Sequence, residues 1–317
     1  MDVVGIDVSK ADFHACLLQG EKRARKSFSN GPSGYRQLAA WLRNRKCNDV
    51  HVCMEATGGY WLELAKTVHN SGAIVSVVNP SRTALFARSQ LRRTKTDRVD
   101  ADMLADFCAS QRPSSWTPPA PEVLELRGLL AYRDHLVSEQ LRFKQIAKDV
   151  HFTDKLSLLH DEQLETIAEI LDEIEEQIRE VVRASDTIEH AVTALTLVKG
   201  IGFLTAVSLI TKLPANRLRD GKAAAAYAGL SPRERQSGTS IHGKSRICKT
   251  GSSSLRRDLY MPAMSAIRYN PVFSVFAQRL REAGKPPKVI IAAVMRKLVV
   301  LAFHVIKKAT IDAPIAV

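Results

Sequence analysis

Cysteine is sparse in this chain, five in 317 residues, and no two of them stand in Cys-x-x-Cys spacing. Cys16, Cys47, Cys53, Cys108 and Cys248 therefore form neither a zinc-ligand pattern nor a disulfide framework, and a reducing compartment such as the cytoplasm is expected. A leader is missing too. Met1 is followed at once by a strand-like apolar segment, so no signal peptide is expected. Nor is there an unbroken apolar run of membrane length. The nearest, residues 289–306, is interrupted by Arg296, Lys297 and His304, which predicts a buried or amphipathic helix and no membrane partner. Acidic residues are scarce in one region only. From Lys199 onward 21 Lys and Arg face five Asp and Glu, a net of +16 within a whole-chain charge of +13. Basic charge gathered into one region points to a polyanionic partner, nucleic acid above all, rather than to diffuse basicity.

What the chain does have is a set of four carboxylates in informative places. Asp7 sits in the apolar run Val3-Val4-Gly5-Ile6-Asp7-Val8 and Glu55 ends a second run, Val50-His51-Val52-Cys53-Met54-Glu55; both runs read as buried strands. Asp97 and Asp100 lie in Lys95-Thr96-Asp97-Arg98-Val99-Asp100-Ala101-Asp102, which reads as the start of a helix. Three residues apart on a helix, their side chains share a face, while Asp102 turns away and reads as structural. Hard cations such as Mg²⁺ or Mn²⁺ take oxygen ligands, and paired ions can clamp both oxygens of a phosphodiester displacement. Isolated acids at strand ends are common; the order of all four points to a metal-dependent nuclease centre.

Residues 2–110 read as α/β. Three strands in meander are followed by alternating helices and strands, as in the ribonuclease-H-like layout, where the first and fourth strands run side by side and Asp7 would neighbour Glu55. Residues 112–121 carry four prolines and read as a linker. Residues 122–190 read as a helical arm. Leu164, Ile167, Leu171, Ile174, Ile178 and Val181 recur at alternating spacings of three and four, the seam of a coiled coil. An intramolecular helical hairpin and an intersubunit arm fit that seam equally, and residues 151–160 are expected at its tip. Residues 191–317 read as a mostly helical basic domain. Its Val198-Lys199-Gly200-Ile201-Gly202 segment fits a helix-hairpin-helix turn whose amides approach phosphate, or a plain turn between helices. Residues 231–257 are rich in serine, glycine and cations, a composition suited either to a phosphate-gripping loop with a nucleophilic serine or to a solvated loop.

Taken together these motifs resemble the insertion sequence 110 family of DEDD transposases, with the related Piv-type DNA invertases. The likeness runs through Gly5-Ile6-Asp7-Val8-Ser9-Lys10, Met54-Glu55-Ala56-Thr57-Gly58, Val78-Asn79-Pro80 and the Lys95–Ala101 stretch. It continues through Gly200-Ile201-Gly202, Ala226-Tyr227-Ala228-Gly229-Leu230-Ser231-Pro232, Gln236-Ser237-Gly238, Arg246-Ile247-Cys248-Lys249-Thr250-Gly251 and Leu255-Arg256-Arg257. The resemblance implies a RuvC-like domain, a coiled-coil arm and a transposase domain. It implies a metal-binding tetrad at Asp7, Glu55, Asp97 and Asp100, and a nucleophilic serine at Ser237, with Ser240 the second choice in a serine-dense stretch. Cys248 stands where family members usually show a serine. Further implications are a Mg²⁺ or Mn²⁺ cofactor and a bacterial, nucleoid-associated location. Implied partners are donor and target DNA, a structured noncoding guide RNA, and further copies of the chain in a dimer or tetramer. The acids and Ser237 fall in different domains, so a site shared between protomers is one expected arrangement. Lys95, Arg98, Lys199, Gly200, Gly202, Lys244, Arg246, Lys249, Arg256 and Arg257 are the expected nucleic-acid contacts. Two other readings compete. A Holliday-junction endonuclease would share the acids but use water and leave no protein–DNA ester, and a non-catalytic nucleic-acid-binding assembly protein would show no Mg²⁺-dependent cleavage.

Overall fold

A computed structural model describes residues 1–47, 49–90, 97–237 and 241–311; within that set the side chains of residues 97–98, 234–237, 241–245 and 310–311 are not described. The chain divides into two compact units, Met1–Pro119 and Ala120–Val317.

The first unit is built on β1 (Asp2–Val8), β2 (Asp12–Gln19), β3 (Lys22–Ser29), β4 (Val50–Glu55) and β5 (Ile74–Val78), in the order β3-β2-β1-β4-β5. The first three form an antiparallel meander, and β4 pairs in parallel with both β1 and β5. This is the ribonuclease-H-like arrangement, with β1 beside β4. β1 and β4 are apolar on both faces because both faces are covered. Val4, Ile6, Val52 and Met54 pack toward α1 (Pro32–Arg43) and α2 (Leu62–Asn70), whereas Val3, Cys53 and Val78 pack toward α3 (Pro80–Ser89) and α4 (Asp97–Gln111). β3 is the polar edge. Only Phe28 is buried there, and its Lys and Arg side chains blunt an otherwise open strand.

The proline-rich segment after α4 does not float free. The Trp116 amide donates to Val75 O at 2.6 Å, its indole is buried, and the Ser76 hydroxyl bonds to Pro113 O and Ser114 O. Proline removes donors, yet the carbonyls and the one aromatic side chain are enough to lay the segment along β5.

The second unit opens with α5 (Pro121–Asp149) and α6 (Asp154–Arg183), which fold back on each other; Arg133 pairs with Glu175 at 2.7 Å, and a His160 ring nitrogen meets Phe143 O at 2.9 Å. The tip is shorter than the expected 151–160. Only residues 150–153 connect the helices, because the Thr153 side chain accepts from Leu156 N and starts α6 at once. The apolar seam is used within the chain: Ile174 and Ile178 are buried, and Ile167, Leu171 and Val181 partly buried, against a core that includes Leu126 and Leu130 of α5.

Next come α7 (Asp186–Thr196), α8 (Phe203–Lys212), α9 (Gly221–Tyr227), β6 (Pro232–Ser237), β7 (Ile241–Ile247), α10 (Ser253–Tyr269), α11 (Pro271–Glu282) and α12 (Pro287–Ile311). The serine-rich stretch is thus an antiparallel strand pair leading into a helix, not the loop its composition suggested. Among the described residues α12 is the one helix long and apolar enough to cross a membrane. Here it is a core helix: Ile290, Val294, Leu298, Ala302 and Phe303 are buried against α7, α9, α10 and α11. Each large side chain so buried contributes about 1.5–3 kcal/mol.

Candidate active site

Strand alternation decides where the first two acids point. Val3, Gly5 and Asp7 share one face of β1, and His51, Cys53 and Glu55 share the same face of β4, since Gly5 pairs with Cys53 in parallel register. Asp7 and Glu55 each lie one step beyond the last paired residues, Ile6 and Met54, so both stand at the C-terminal ends of adjacent strands. His14 is directly opposite Asp7 on β2 and shares its face. Asp7 and Glu55 are both half-buried.

Helix α4 covers that face. It comes close because Gly5 has no side chain: a Cβ there would lie 2.2 Å from Ala101 O and 2.2 Å from Ala105 N. Leu104 is fully buried over the same strand, and Asp100, one turn earlier, is half-buried on the same side of the helix. Asp97 is the first residue of α4; its side chain and that of Arg98, together with all of Lys95, lie outside the described residues.

Glu55 is held from two sides. The Thr83 hydroxyl is 2.5 Å from Oε1, and Thr57 Oγ1 donates to Oε2 at 3.3 Å. Asp102 behaves differently. Both of its oxygens accept from Arg25 on β3, and the Cys16 thiol also bonds to it. Burial would raise its pKa, but the Arg25 guanidinium and the Cys16 thiol outweigh that and hold it below the usual carboxylate range. Among the described residues no three ligating side chains gather closely enough to hold a metal. The acids near the mouth of β1 and β4 nonetheless offer oxygen donors alone, the set a hard cation takes.

In the second unit Ser237 ends β6, paired in register with Ile241 of β7; its side chain and that of Lys244 are not described, and Ser240 lies outside the described residues. Arg246 and Lys249 are exposed at the other end of the strand pair. That end is fastened to the turn that follows α9: Cys248 N donates to Ser231 O and Lys249 N to Gly229 O. Gly229 has a φ of +68°, and a Cβ there would meet Arg256 Nη1 at 2.4 Å. Arg256 Nη1 donates to the carbonyls of Ala228, Gly251 and Ser252, while Arg257 pairs with Asp134 and Asp258. Arg256 is thus engaged with backbone carbonyls, whereas Arg257 is ion-paired but remains largely exposed. Lys199 is exposed on the turn between α7 and α8 and Gly202 caps α8, but Gly200 is a packing residue: a Cβ on it would lie 2.7 Å from Ala266 Cβ.

Comparison with known proteins decides the family. The chain matches a DEDD insertion sequence 110 model described as "Transposase" over residues 4–150, and one described as "Transposase IS116/IS110/IS902 family" over residues 192–278. It is 33% identical over 314 residues to the pilin gene-inverting protein of Moraxella bovis, covering 96% of this chain and 95% of that one. The chain belongs to the insertion sequence 110 transposase family. The pilin gene-inverting protein of Moraxella lacunata is 32% identical over the same shares. A 43.6 kDa insertion element protein of Streptomyces coelicolor is 29% identical over 117 residues, 37% of this chain and 29% of its own. Membership implies DNA recombinase activity and DNA binding. The structure adds His14, Thr57 and Thr83 to the neighbourhood of the acids, none of which the sequence reading had singled out.

Proposed function

We propose that the protein is the recombinase of an insertion sequence, cutting and rejoining DNA strands by transesterification. One observation carries this: Asp7 and Glu55 share a face at the ends of adjacent parallel strands, under a helix that begins with Asp97 and Asp100. Homology along nearly the whole chain to proteins named for inverting a pilin gene supports it.

In this reading Asp7, Glu55, Asp97 and Asp100 hold Mg²⁺ or Mn²⁺. When bound, such ions supply Lewis-acid polarisation of the scissile phosphate. Ser237 is the nucleophile. Its oxygen bonds to phosphorus as the bond to the leaving deoxyribose oxygen breaks; the serine proton is released and the leaving oxygen takes one up. The product is a serine–DNA phosphodiester, so a second DNA hydroxyl can displace the serine and restore it. Arg246 and Lys249, with Lys244, Lys95 and Arg98, grip phosphates, and the turn carrying Lys199 and Gly202 holds duplex backbone. Arg256 braces this surface through the backbone carbonyls it binds, and the exposed Arg257 adds positive charge to it.

By function the chain divides into an acid-bearing domain, a helical arm and a serine-bearing domain. Target choice lies with a structured noncoding RNA that pairs with donor and target DNA. Copies associate through the arm, a reading supported by Leu141, Ile146, Leu158 and Leu159, which stay exposed near its tip. The test is Asp97→Asn. It is expected to abolish Mg²⁺-dependent cleavage of junction DNA while nucleic-acid binding stays measurable; full cleavage by that variant removes the acidic tetrad.

A further inference from the structure

Glu55 differs from the other three acids in reach. It has three rotatable side-chain bonds where an aspartate has two, so on its own it is the least well aimed of the set. The fold supplies a holder. Because β5 pairs in parallel with β4, Val78 lies opposite Glu55, and the chain turns at Asn79 and Pro80 straight into α3. Asn79 caps that helix by accepting from Ser81 N at 2.8 Å, and Pro80 fills its first turn. Thr83, one turn in, comes back over the strand end. It is completely buried, and its hydroxyl oxygen is 2.5 Å from Glu55 Oε1 and 2.8 Å from Pro80 O. One proton faces two acceptors there. A carboxylate makes the stronger hydrogen bond, so an ionised Glu55 takes it. Thr57, which reaches the other oxygen, is exposed and its contact is longer, 3.3 Å.

We propose that Thr83 is a positioning residue that pins Glu55 Oε1 from inside the protein, so that Oε2 is presented at the open ends of β1 and β4. The inference rests on the reading of Glu55 as one of the metal-holding acids. Groups that orient a ligating side chain are worth about 10–100-fold in metal affinity or activity.

The experiment is a calorimetric titration of the full-length protein with Mn²⁺, comparing wild type, Thr83→Val, Thr83→Ser and Glu55→Gln, with DNA cleavage measured alongside. Valine keeps the volume and removes the donor, and is expected to weaken Mn²⁺ binding about 10–100-fold. Serine keeps the donor and is expected to restore most of it. If Thr83→Val does not fold, Thr83→Ala is titrated in its place. Native affinity in the valine or alanine variant beside a weakened Glu55→Gln overturns the role of Thr83 alone. Equal weakening by serine and valine also overturns it, because the hydroxyl is then not the cause. Native affinity in Glu55→Gln overturns the reading of Glu55 as an ion-holding acid, and the Thr83 inference with it.

Discussion

Asp102 of α4 meets Arg25 of β3 through both carboxylate oxygens, each contact 2.8 Å long. With the pair Arg23–Asp106 at 2.5 Å, it fastens α4 to the outer strand of the meander. The acid two residues after Asp100 is thereby committed to holding the helix rather than to the mouth of the sheet. Asp102→Asn should lower stability by about 0.2–1 kcal/mol, since Arg25 is half exposed and water screens the pair. Cleavage should persist in this variant, in contrast to Asp97→Asn. A folded Asp102→Asn protein without cleavage would move Asp102 into the reacting set.

Gly5→Ala tests the approach of α4. The added methyl would have to displace helix backbone on two sides, which no side-chain rotation relieves. The expected loss is at least about 1–3 kcal/mol of stability, read from a thermal or denaturant melt, with cleavage falling alongside. An unchanged melt would mean that α4 does not lie on β1 as described.

Asp258 gives a pH test. Burial pushes its pKa up, but Lys212, at 2.6 Å, the Ser208 hydroxyl, also at 2.6 Å, and Arg257 outweigh burial and hold it below the usual carboxylate range. A lowered folded-state pKa contributes stability that is complete above the unfolded value and is lost as pH falls through the folded one. Asp258→Asn should therefore be less stable than wild type by about 1–3 kcal/mol at neutral pH. The gap should close on acidification below about pH 4. A gap of constant size down to acid pH would show that the charge of Asp258 is not what stabilises.

Ser237→Ala should leave no covalent protein–DNA adduct on a denaturing gel when incubated with junction DNA and Mg²⁺. If the adduct survives there and disappears in Ser240→Ala, the nucleophile is Ser240.

How much of this was readable beforehand depends on local chemistry. The strands carrying Asp7 and Glu55 were plain because both of their faces are buried, which leaves unbroken apolar runs. The seam on α6 was equally plain, but periodicity names a face and not its partner, so it could not choose between α5 and another copy. Helix α3 was missed because Thr83 is its one buried residue and Leu85 is exposed, leaving no periodic stripe. The signal for it was Asn79-Pro80, a cap followed by a first-turn proline. Thr83 went unseen with its helix. The β6–β7 pair was hidden for a related reason: its residues are nearly all polar, so alternation has nothing to mark. The start of α6 had a readable sign in Thr153, which serves as its cap.

The place of α12 in its core sets an order of maturation. Polypeptides are made from the N-terminus, and domains fold as they emerge. The sheet bearing Asp7 and Glu55 needs nothing beyond Trp116 to close its own core. The core of the second unit stays incomplete until α12 supplies Val294, Leu298, Val299, Ala302 and Phe303. A ribosome-bound nascent chain thus carries a closed sheet beside helices whose shared core still waits for α12.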